Sequence, residues 1–202
     1  MQMRIKSHWF KAGTPKTPQQ TASALAFIVW RVAQNMLKQM RSARFDIDIG
    51  PQYFAFMREV LVFLIQVVDR MAYERMPEDT RAEFTTALVR RVAEILEDSE
   101  NDLLGLPVAG VESHRAQFIE LFNVLSDHYA DFGHGPDGPD FGFVRYLGSR
   151  ITALMTQKDQ TWVLDQVMAI EAPEAVATLK SAMLGVLSTE PRPARRHGVS
   201  GD

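Results

Sequence analysis

The segment that most restricts the fold is "PQYFAFMREVLVFLIQVVDRMAYERM", Pro51 to Met76. Tyr53, Phe54, Met57, Val60, Leu61, Leu64, Ile65, Val68 and Met71 recur at three- and four-residue spacing, which makes one broad helical face. Phe56, Phe63 and Val67 populate the other side of the same helix. A helix this apolar around its circumference needs cover on most sides. Two arrangements supply that cover. Either the helix is central in a bundle, or another chain covers its second side, in which case Phe56, Phe63 and Val67 are self-association residues. The most apolar run, Val60–Val68, is flanked by Glu59 and Asp69 and is about half the length that crosses a bilayer, so no membrane span is expected.

The flanking sequence supplies the rest of such a bundle. Thr17, Pro18 and Gln20 form a helix start with capping-box spacing, followed by Leu25, Ile28, Val29, Val32, Met36 and Met40 on one face. Phe27 and Trp30 widen that face. A third helix opens on Glu78 and Asp79, which complement the positive end of the helix dipole. It carries Phe84, Leu88, Val92, Ile95 and Leu96 inward and stops at Gly105 and Pro107. A fourth runs from about Val111 to Tyr129 with Phe118, Ile119, Leu121, Phe122 and Leu125 apolar, and a fifth follows Phe141 with Phe143, Val144, Leu147, Ile151 and Leu154 inward. Asp159 is placed to cap a sixth, and Pro173 either begins a seventh or kinks the sixth. No period-two segment of strand length appears. The expected fold class is all-α, a single-domain bundle of six to seven helices over residues 17–188. An irregular N-terminal arm (1–16) precedes it and a disordered basic tail (189–202) follows.

Composition narrows the function classes. The 202 residues carry a net charge of −3 and no cysteine. Disulfides, thiolate metal sites and cysteine nucleophiles are therefore excluded, which fits a cytoplasmic setting. The arm is basic but lacks the apolar core of a signal peptide. Nucleic acid is not expected as a partner, because phosphate binding normally leaves a basic domain and the only dense cations are Arg90–Arg91 and the tail "RPARR". The phosphate-binding, dinucleotide and hydrolase motifs are missing. The ten methionines sit mostly at core spacing.

One stretch holds the residue types that chemistry uses: "DHYADFGHGPDGPDFGF", Asp127 to Phe143. Asp127, His128, Asp131 and His134, with Asp137 and Asp140, are candidate metal ligands by type. Their spacing argues against the role. His128 and His134 are six apart, so they do not share a helical face, and the acids lie at separations of four, six and three rather than at alternate positions. The glycines and prolines read instead as a connection, with Asp140 as the cap of the next helix. His114 reads as an exposed polar residue, and Arg58–Glu59 and Asp69–Arg70 as the solvent stripe of the second helix.

These observations favour a non-enzymatic helical protein without a cofactor. It is expected to self-associate as a homo-oligomer, a dimer foremost, and to bind a protein partner or an apolar ligand. Trp9 and Phe10, the large aromatic pair of the arm, join Phe56, Phe63 and Val67 as the expected contact residues. The alternatives are a metal-dependent or carboxylate enzyme built on Asp127–Asp140, and a nucleic-acid-binding regulator using arm and tail.

Overall fold

The structure, a computed structural model, describes residues 16–187. Its helices are α1 (Pro18–Ser42), α2 (Pro51–Tyr73), α3 (Glu78–Leu104), α4 (His114–Ala130), α5 (Phe141–Leu154), α6 (Gln160–Gln166) and α7 (Ala172–Leu187). A two-stranded hairpin, β1 (His134–Gly135) and β2 (Gly138–Pro139), stands between α4 and α5. The all-α bundle expected from the periodicity is what the chain forms. Trp9 and Phe10, and the tail over 189–202, lie outside the described residues.

Helix α2 is the central element. Phe56, Phe63 and Val67 are fully buried in the chain's own core, as are Met57, Leu61 and Leu64 on the other side. The second side of α2 is covered from within, by neighbouring helices. The expectation that Phe56, Phe63 and Val67 meet another chain is therefore corrected: none of the three is open to one.

Helices α1 to α6 alternate in direction, and α7 continues α6. On α1 and α3, Gln19 and Ser23 share a groove with Glu83 and Thr86, and the Arg91 guanidinium stands 5.3 Å from the centre of the Phe27 ring, so these two run parallel. Arg58 of α2 reaches Glu100 near the end of α3 and Gln117 near the start of α4. Glu59 meets Arg150 near the end of α5, and Gln39 meets Glu174 near the start of α7. One end of the bundle, the upper, thus gathers the α1–α2, α3–α4 and α5–α6 connections. The lower end gathers the start of α1, the α2–α3 connection, the hairpin and the end of α7.

Local chemistry explains the boundaries. Thr17 accepts from Gln20 N while the Gln20 side chain accepts from Thr17 N, the reciprocal bonds of a capping box. Helix α4 starts at His114 rather than near Val111, because the Ser113 side chain caps it by accepting from Ala116 N. Pro173 stands in the first turn of α7, the seventh segment expected there, and the chain does not break before it: α6 widens into a π segment, Val167–Glu171, with Ala172 N–H donating to Val167 O, and runs on into α7. Asp159 does not cap α6 through its side chain. Its carboxylate accepts from Asp46 N at 2.7 Å, tying the α5–α6 connection to the α1–α2 connection.

Candidate functional site

The charged residues of α2 are not its solvent stripe. Arg58 makes a two-pronged pair with Glu100, Nε to Oε1 at 3.0 Å and Nη2 to Oε2 at 2.8 Å. Glu100 is only 2% exposed, so its charge depends on this pairing for compensation. His114 Nδ1 lies 3.3 Å from the same carboxylate without a hydrogen bond to it, and its Nε2 lies 3.3 Å from Gly105 O. His114 is therefore half-buried and engaged, not the exposed residue its sequence context suggested. On the opposite side of α2, Glu59 pairs with Arg150 in the same two-pronged manner, at 3.0 and 2.5 Å. That hydrogen bond raises the Arg150 pKa above its ordinary value. Nearby, burial first and the Glu59 charge second push the Tyr129 hydroxyl well above the usual tyrosine range. The Tyr129 hydroxyl is buried with no hydrogen-bond partner among the described residues, inside a cluster formed with Phe63, Phe132, Phe143 and Tyr146.

The Arg58–Glu100–His114 group forms the floor beneath the α3–α4 connection, Gly105–Ser113. Gly105 ends α3 with a φ of 85°, a left-handed conformation that favours glycine, and its N–H donates to Asn101 O. Val111 N donates to Val108 O at 3.0 Å, and Gln117 Nε2 holds Glu112 O at 2.8 Å. The connection is thus tied at its start, middle and end. Apolar side chains nonetheless stay outside, Leu103 and Leu104 on the last turn of α3 and Leu106, Val108 and Val111 on the connection, Leu106 exposed by 80% and Val108 by 77%. Their exposed areas sum to on the order of 500 Å², within one short stretch of chain. Exposed acids stand beside them at Asp98, Asp102 and Glu112. The upper end therefore carries an acid-rimmed apolar tip on a rigid support.

The stretch that looked like chemistry is a structural clamp. Gly133 O accepts from Asp140 N, and the Asp140 carboxylate in turn accepts from Gly133 N at 2.7 Å and from Phe143 N at 2.8 Å. These backbone bonds, Phe143 foremost, lower the Asp140 pKa. The clamp leaves no room at Gly133, where a Cβ would sit 2.9 Å from Asp140 Oδ2. Asp127, His128 and Asp131 are exposed on the last turn and cap of α4. The His128 ring lies against Tyr146, with 5.7 Å between centroids. His134, on β1, is half-buried, and burial lowers its pKa. Among the described residues no three His, Asp or Glu side chains gather as a metal set, so the structure does not bring Asp127, His128, Asp131 and His134 together.

The open grooves along α1 have mixed polar and apolar linings. The one between α1 and α7 encloses about 470 Å³ and is lined by Arg31, Lys38, Gln39, Glu174 and Thr178 among others, and the Gln39–Glu174 hydrogen bond joins its two walls. Among the described residues no helix is long and apolar enough to cross a membrane. Compared with models of protein families, with curated proteins and with solved structures, the chain matches none.

Proposed function

We propose that this chain acts by binding rather than by catalysis, and that it self-associates through the apolar tip at Leu103–Val111. The observation that carries the reading is the combination of exposure and restraint. Five large apolar side chains stay in water, two on the last turn of α3 and three on a connection whose two ends are held by the side chains of His114 and Gln117. A loop selected only to join two helices has no need of such side chains, since polar residues serve there at lower cost in apolar exposure. A protein-docking surface needs an apolar centre, a polar rim and little freedom to lose, and the tip offers all three. A cytoplasmic setting, suggested by the absence of cysteine, suits this role.

Substitution of Leu106 and Val108 by serine tests it. Both side chains are largely exposed, so folding stability should stay within about 0.5 kcal/mol of the parent. Burying each on association is worth about 1.5 kcal/mol at the low end, or about 3 kcal/mol per tip, so the double variant should associate at least about 100-fold more weakly in sedimentation equilibrium. An unchanged association constant, or a strictly monomeric parent protein, defeats the reading.

A further inference from the structure

We infer that the tip receives the cationic, aromatic N-terminal arm of a second copy, in a reciprocal antiparallel pair. The inference rests on the reading of the tip as a self-association surface and names the segment that occupies it.

Charge chooses among occupants. A tip meeting another tip would bring Asp98, Asp102 and Glu112 against their own copies, a like-charge contact that disfavours association. The complementary chemistry lies in the same chain. Residues 1–16 contain Arg4, Lys6, Lys11 and Lys16 around Trp9 and Phe10, and no acidic residue precedes Asp46. Aromatic side chains flanked by cations fit an apolar surface flanked by acids, with tryptophan the strongest single anchor of such contacts.

Geometry chooses between the chain's own arm and a neighbour's. The arm joins the bundle at the lower end, where Gln19 shares a groove with Glu83. From Glu83 to Leu104 the α3 axis is about 31 Å long at 1.5 Å per residue. Gln19 is already in α1, so the arm extends only from Thr17, which Phe10 precedes by seven residues, a span of at most about 25 Å. Even a taut arm of the same chain therefore leaves Phe10 short of the rim, unable to seat on Leu106 and Val108 beyond it. In an antiparallel neighbour the lower end lies beside this tip, and its arm needs only a short reach. The exchange repeats by symmetry, so two copies satisfy both arms and both tips and the assembly closes as a dimer.

The test places the photo-crosslinker p-benzoylphenylalanine at position 10 of the full chain. Copies of natural isotope content are mixed with copies labelled with nitrogen-15, and the cross-linked peptides are read by mass. The expected result is mixed-isotope products joining position 10 to the Leu103–Val111 peptide, from a species with the mass of a dimer. Leu106→Ser with Val108→Ser, and separately Lys6→Glu with Lys11→Glu, should each reduce those products at least tenfold. Products confined to one isotope, or an open-ended series of masses, overturn the reciprocal pair. If the tip substitutions weaken association but position 10 reaches some other surface, the arm is wrong and the tip stands. If association ignores the tip substitutions, both fall.

Discussion

Replacing Glu100 by glutamine keeps the shape of the side chain and removes one charge, and its consequence can be worked from the structure. The Glu100 carboxylate is 2% exposed and takes two bonds from Arg58, at 3.0 and 2.8 Å, with His114 Nδ1 at 3.3 Å. Without it the Arg58 guanidinium stays largely buried beside a neutral amide. Breaking a buried pair by removing one partner costs roughly 3–5 kcal/mol. The Arg58 side chain keeps 16% exposure, so water recovers part of that loss and about 3 kcal/mol is the expected cost. With a urea slope of about 2–3 kcal/mol per molar, the unfolding midpoint should fall by about 1 M or somewhat more. The control is Glu94→Gln. Glu94 pairs with Arg91, and both side chains are about 40% exposed, so this change should cost less than about 1 kcal/mol. A second comparison replaces Arg58 and Glu100 together by methionine, which removes both charges and should recover most of the loss. If Glu100→Gln costs no more than Glu94→Gln, the claim that a buried ion network supports the α3–α4 connection is refuted.

Three further outcomes follow from particular groups. Tyr129→Phe removes a buried hydroxyl that has no partner among the described residues, and should raise stability by about 1 kcal/mol in the same urea titration; a loss of that size would mean the hydroxyl is bonded. Asp140→Ala removes the cap of α5 and the clamp on Gly133, and should cost about 1–2 kcal/mol at neutral pH. Because the folded pKa of Asp140 is lowered, its stabilisation is present above the unfolded value of 3.8 and is lost as pH falls through the folded one, so parent and variant should converge in acid. Glu171 has the opposite sign: burial raises its pKa, so its ionisation opposes folding as pH rises from 4.5 through the folded value. Glu171→Gln keeps an oxygen acceptor for Gln166 and should be more stable than the parent at pH 7, with the difference vanishing below pH 4.5; equal stability at both pH values would contradict this.

What could be read from the sequence was what local chemistry decides. The Thr17 capping box and the Asp140 cap are contained within four residues each, and both form as expected. The apolar rows of α1, α3 and α5 were legible because helical period alone places Leu25, Leu88 and Leu147 inward. Asp159 has the sequence context of a local cap, but its partner, Asp46 N, lies 113 residues away and competes successfully with that cap. Arg58, Glu59 and His114 are illegible from local sequence for the same reason. A charge on an apolar helix looks like a solvent stripe until Glu100 and Arg150 arrive from other helices. The tip, by contrast, does carry a local signal. In "LLGLPVAGV", Leu103–Val111, apolar residues continue past the glycine and proline that end α3, where no helical face remains to bury them.

Amide hydrogen exchange, followed from dilute to concentrated protein, tests the central claim most directly. The amides of Leu103–Glu112 should exchange more slowly as concentration rises, while those of α2, already buried, should not change. Slowing at another surface with the tip unaffected would contradict the account.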